Sequence, residues 1–104
     1  NTTEQAIALI KEVDSAGFKL NLDLGTMIYN KEDLSVLEGH AKLINHVHIS
    51  EPGLKPIEKR PVHKDLADFL KANNYQEFIS IEMGRQEDLD VIIGACSYVK
   101  EIFG

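Results

Sequence analysis

The stretch INHVHISEP (Ile44–Pro52) decides how this chain is read. His46 and His48 sit one residue apart in an apolar run, and Pro52-Gly53 then breaks the segment. Side chains alternate along a strand, so His46 and His48 share one face while Val47 and Ile49 share the other. One face is apolar. The other carries imidazoles, which bind metals or move protons, close to the strand's end.

Two further segments repeat the pattern. In FKLNLDLG, Phe18, Leu20 and Leu22 alternate with Lys19, Asn21 and Asp23, which predicts a strand ending at Asp23. In EFISIEMG, Ile79, Ile81 and Met83 alternate with Phe78, Ser80 and Glu82, which predicts a strand from Glu77 to Glu82. Helical spacing fills the intervals. Glu4 to Ala16 place Ala6, Ile7, Leu9, Ile10 and Val13 on one side, and Gly17 ends that run. Residues 30–44 place Leu34, Leu37, Ala41 and Ile44 at helical intervals, weakened by Gly39. A charged loop with Pro and Gly runs from Glu51 to about Pro61. Helices are expected over VHKDLADFLKANN (62–74) and from Gln86 to Phe103. The order αβαβαβα predicts parallel βαβ units, a sheet covered by helices, with residues 1–104 forming one α/β unit.

Each strand thus ends in an ionisable residue on its polar face: Asp23, His48 and Glu82. The C-terminal edge of a parallel sheet is where the βα loops converge and sites are built. A carboxylate, an imidazole and a second carboxylate form a donor set suited to Mn, Mg, Co or Zn. Singly, each has a plainer role: a turn or cap for Asp23, a hydrogen-bonded core histidine for His48, a partner to a cation for Glu82. Parallel strands are usually buried on both faces, so a polar face on three successive strands needs a reason. Glu51 is a candidate for a substrate hydroxyl or for support behind the ligands, or is a solvated loop charge. Lys55, Lys59 and Arg60 could meet an anion or simply face water. His40 and His63 read as surface residues, and Cys96 as a small core residue on a helix.

The composition bounds the rest. The chain has 104 residues, 43% of them hydrophobic, and a net charge of -6. That is enough for one modest core. No basic patch interleaved with aromatics marks a nucleic-acid surface. No segment is long enough to span a bilayer and no signal peptide is visible. A single cysteine cannot form an intrachain disulfide, which fits a reducing, cytoplasmic setting. No phosphate-binding glycine loop or nucleophile elbow is present. The chain starts on a helix cap and not on Met, which reads as a fragment or a processed product.

The segments LNLDLGTMI, INHVHISEP and FISIEMG together resemble the sixth, seventh and eighth strands of the xylose-isomerase-like TIM barrels, the superfamily of sugar phosphate isomerases/epimerases, ketose 3-epimerases and endonuclease IV. The His-x-His-x-x-Glu pattern at His46, His48 and Glu51 is most similar to the ketose 3-epimerase type. The resemblance covers essentially the whole chain. It implies the C-terminal half of a (β/α)8 barrel, beginning at the helix after strand five. It also implies one divalent metal held by Asp23, His48 and Glu82 together with a strand-five glutamate that this chain does not contain. Two family positions differ: Thr26 stands where a histidine is common, and Leu54 where ketose 3-epimerases often carry arginine.

The function so implied is a metal-dependent isomerase or epimerase acting on a sugar or sugar phosphate. The metal polarises a carbonyl and its neighbouring hydroxyl, Glu82 exchanges the proton on the adjacent carbon, and an enediolate is the intermediate. His46 and Glu51 stand behind the ligands or against the substrate. The alternatives are an endonuclease-IV-like phosphodiesterase, which the net charge opposes, and a non-catalytic binding or assembly module. With one ligand lacking, the chain alone is expected to bind metal weakly or not at all and to be inactive. Unpaired strand edges predict a homo-oligomer.

Overall fold

In a computed structural model, which describes residues 2–13, 17 and 19–104, three strands form one open parallel sheet in the order β1-β2-β3. β1 is Leu20–Asp23, β2 is Ile44–Ile49 and β3 is Phe78–Ile81. Among the described residues four α-helices accompany them: α1 (Thr3–Val13), α2 (Leu24–Tyr29), α3 (Pro61–Ala72) and α4 (Leu89–Phe103). The class is α/β, as the alternation of periods predicts. Phe18, expected to open the first strand, lies outside the described residues, as do positions 14–16 of the first helix.

The alternation in the three segments sorts the two faces of the sheet. Leu22, Val47 and Ile49 are at most 1% exposed and pack with Leu24, Met27, Leu37 and Leu66. α1 adds Ile7 and Ile10, α3 adds Leu70, and α4 adds Val99. Each fully buried aliphatic side chain of this kind contributes about 1.5–3 kcal/mol, so this face holds the fold together. Across the strands Leu22 pairs with Val47 and Val47 with Ile79, which aligns the apolar rows. The register slips once, between Leu20 and Asn21: Leu20 pairs with Ile44 but Asn21 with His46. That irregularity sends Ile44 into the core, although His46 and His48 point the other way.

The helix expected over residues 30–44 does not form. The chain turns directly from Asp23 into α2, with the Asp23 side chain accepting from the Thr26 backbone amide. Lys31 (φ 55°) and Gly39 (φ 78°) take left-handed backbone conformations that interrupt a helix. Only two short 3-10 turns remain in this stretch, Leu34–Leu37 between those two residues and Ala41–Leu43 after Gly39. The spacing of Leu34 and Leu37 suits a 3-10 turn as well as an α-helix, since i and i+3 share a face in both. Cys96 is exposed on α4 and is not a core residue. His63 is fully buried in α3 and is not a surface residue, and His40 precedes a 3-10 turn instead of lying on a helix.

Candidate functional site at the ends of the strands

The face opposite the core carries Asn21, Asp23, His46, His48, Phe78, Ser80 and Glu82. Registration places Asp23 beside His48 and His48 beside Ser80. The sheet hydrogen bonding runs on past β3, with the Glu82 amide donating to the Ile49 carbonyl at 2.9 Å. Asp23, His48 and Glu82 therefore stand at the ends of three adjacent strands.

His48 Nδ1 lies 3.1 Å from Glu82 Oε1. The contact is an ion pair if His48 is protonated, and among the described residues the buried Nδ1 has no hydrogen-bond partner. Two donors that bind one small divalent cation side by side, each at ~2.1 Å, are about 3 Å apart. This pair fits such an ion in chemistry and in spacing. The His48 ring is backed by His46, stacked at 4.2 Å between centroids and 19° between planes. His46 is held in turn by Ser80, with Nε2 2.9 Å from Oγ.

Asp23 is differently engaged. Its Oδ1 accepts the Thr26 amide at 3.1 Å and the Ser50 hydroxyl at 2.7 Å. Both hydrogen bonds to this carboxylate among the described residues fall on Oδ1. Asp23 is thus a helix cap, the plainer role, and also a strand-end carboxylate with one oxygen uncommitted. Among the described residues no three His, Cys, Asp or Glu side chains converge tightly enough to hold a metal together. His48 and Glu82 form the pair, and Asp23 stands one strand away.

Glu51 does not reach the open face. It is buried, and its carboxylate is clasped by Arg60, with Nε 2.8 and 3.0 Å from the two oxygens and Nη2 2.5 Å from Oε1. The Glu58 amide donates to Oε2 at 3.2 Å. Glu51 therefore pins the loop after β2, and Arg60 is spent on it. The hydrogen bond to Glu51 raises the Arg60 guanidinium above its ordinary range.

That loop is folded tightly against the strand ends. Gly53 (φ 71°) and Leu54 (φ 55°) are both left-handed, which is strained for leucine. Leu54 is held there by the hydrogen bond that its amide donates to the Glu51 carbonyl at 2.9 Å and by the one that the Gly84 amide donates to its own carbonyl at 2.7 Å. Beside it lies a cavity of about 250 Å³, bordered by Asp23, Gly25, Tyr29, Ser50 and Leu54. It is a shallow, open cleft with a mixed polar and apolar lining. Ser50, Gly25 and Tyr29 were not singled out by the sequence pattern. Ser50 carried a visible signal, since it is the first residue after the strand that bears both histidines.

Compared with known proteins, the chain matches no family model and no curated protein.

Proposed function

We propose that this chain supplies strands six to eight of a xylose-isomerase-like barrel, and that the intact protein is a divalent-metal-dependent isomerase or epimerase of a sugar or sugar phosphate, similar to the ketose 3-epimerases. The observation that carries the reading is the His48–Glu82 pair: a buried imidazole nitrogen without a hydrogen bond among the described residues, 3.1 Å from a carboxylate oxygen, at the C-terminal edge of a parallel sheet. His48 and Glu82, with Asp23 from the neighbouring strand, would hold the ion. When bound, the ion supplies polarisation of a carbonyl and its adjacent hydroxyl.

The chain's own groups do the rest. The Glu82 side chain is 45% exposed, so it can reach a substrate, and its carboxylate can take a proton from the carbon next to a carbonyl and return it. His46 and Ser80 keep the His48 ring from turning, which fixes the nitrogen offered to the ion. A small polar substrate, without nucleic acid or membrane, matches the acidic charge. No helix among the described residues is long and apolar enough to cross a membrane, and a cytoplasmic setting is part of the proposal.

The test uses the full-length protein with Mn²⁺ and a panel of ketoses and ketose phosphates in deuterated water. Deuterium should appear at the carbon beside the carbonyl. Glu82→Gln should lower the rate by at least about 10²–10⁴-fold, the usual worth of a positioned acid/base. Exchange near the wild-type rate in Glu82→Gln would remove this residue from the mechanism.

A further inference from the structure

The loop after β2 holds one residue in a conformation that its sequence does not call for. Pro52 and Gly53 fill the central places of a turn, which the Leu54 amide closes on the Glu51 carbonyl at 2.9 Å. A positive φ at Gly53 (71°) is the ordinary use of glycine in such a turn. Leu54 follows with φ 55°, left-handed again, where a side chain crowds the backbone. Burial does not compensate, because Leu54 is 45% exposed. Strain of this kind persists only where the surroundings fix it. With this backbone the Leu54 carbonyl meets the loop after β3 and accepts the Gly84 amide at 2.7 Å. The approach is close: a Cβ on residue 84 would sit 3.2 Å from that carbonyl oxygen.

From this geometry we infer that Leu54 is a positioning residue for Glu82, its left-handed backbone fastening the chain just past Glu82 to the segment that carries His48. The inference rests on the proton-transfer role proposed for Glu82 above. Glu82 follows Ile81, the last residue of β3. Its own amide donates to the Ile49 carbonyl at 2.9 Å, one residue past His48, and two residues on the Gly84 amide donates to Leu54. The main chain is thus tied to the β2 segment at Glu82 and again just after it. No side-chain hydrogen bond among the described residues holds the Glu82 carboxylate, so these two ties set its place beside His48. The other end of the linkage is firm as well, since the buried Glu51 carboxylate is clasped by Arg60. A displacement of about 1 Å in a reacting group costs on the order of 10²-fold in rate, so this fastening serves the reaction as well as the fold.

The experiment compares the full-length wild type with Leu54→Gly, Leu54→Val and Gly84→Ala. Glycine takes the left-handed backbone without strain, whereas β-branched valine resists it. One readout is kcat and KM for deuterium exchange into the ketose or ketose phosphate that the wild type turns over. The other is hydrogen exchange of the Gly84 amide in the protein alone, which needs no activity. Leu54→Val and Gly84→Ala should lower kcat about 10–100-fold with little change in KM, and Leu54→Gly should stand well above Leu54→Val. The Gly84 amide should exchange slowly in wild type and Leu54→Gly and faster in the other two. If Leu54→Val does not fold, Gly84→Ala, which presses on the one contact, decides the matter. Leu54→Gly no faster than Leu54→Val, or wild-type kcat in Gly84→Ala, would overturn the role of Leu54 and leave the proposed function standing. An unprotected Gly84 amide in the wild type would do the same. A wild type that exchanges deuterium into none of the ketoses would overturn the proton-transfer reading, and this inference with it.

Discussion

Arg60 closes over Glu51 so completely that 2% of the Glu51 side chain reaches solvent, while 31% of the Arg60 side chain does. The carboxylate is buried and charged, and the guanidinium is what makes that tolerable. Removing the cation alone should therefore cost more than removing both groups. Arg60→Met should destabilise the protein by about 2–4 kcal/mol, below the full value for a wholly buried pair because Arg60 is partly wet. The double variant Glu51→Gln/Arg60→Met should recover part of that loss. Urea unfolding of the wild type, both single variants and the double variant measures it. Additive losses would mean that the two side chains are not coupled.

A second prediction concerns pH. His63 Nδ1 is 2.7 Å from Tyr98 Oη, and its buried Nε2 has no hydrogen-bond partner among the described residues. Burial holds the imidazole below the ordinary histidine range of 6.5, with Glu51 pulling it up and Arg60 pushing it down. Tyr98 also accepts the Arg60 backbone amide at 3.3 Å, and its ring lies under the Lys59 ammonium. The folded-state value lies below the unfolded one. The stability contributed by neutral His63 is then complete above pH 6.5 and is lost as pH falls from there through the lowered folded value. Thermal unfolding followed from pH 7.5 down to pH 5 should show this fall. His63→Gln, which keeps a polar partner for Tyr98 but cannot titrate, should show a flatter profile. The same slope in both proteins would assign the acid sensitivity elsewhere.

The two pairs just described show what the sequence could and could not reveal. Period-two alternation in LNLD, NHVHI and FISIE was readable because a buried face tolerates no slip of one residue. It delivered the parallel strands, their apolar side and the strand-end positions of Asp23, His48 and Glu82. The helix expected at 30–44 failed because spacing at i and i+3 does not distinguish an α-helix from successive 3-10 turns, and the left-handed Lys31 could not be read from residue type. α2 was missed because six residues are too few for periodicity, although Asp23 is a normal capping residue. The partners Ser50–Asp23, Arg60–Glu51 and Tyr98–His63 are 27, 9 and 35 residues apart. Only the fold brings such pairs together, so His63 read as a surface residue, and Glu51 read as a residue behind the ligands or against the substrate, or as a loop charge, when it is buried on Arg60.

A third prediction follows from the sheet's two margins. β1 and β3 each have one side without a strand partner among the described residues. Unpaired parallel strands offer backbone donors and acceptors to any extended segment that fits. The helices beside these margins expose apolar side chains: Leu9 and Val13 on α1 are 54% and 49% exposed, and Leu89 and Ile93 on α4 are 65% and 52% exposed. Phe78 on β3 is 72% exposed. α1 packs beside β1 and α4 beside β3, so apolar surface accompanies each unpaired margin. The 104-residue chain is therefore expected to form a homodimer or higher oligomer, with contacts through the strand margins or the open face. Sedimentation equilibrium across a concentration series tests it. Phe78→Lys and Ile93→Lys, which place charge on the two surfaces, should each shift the distribution toward the monomer. A single monomeric species at high concentration in the unmodified chain, or no change in either variant, would show that these surfaces are not where the chain associates.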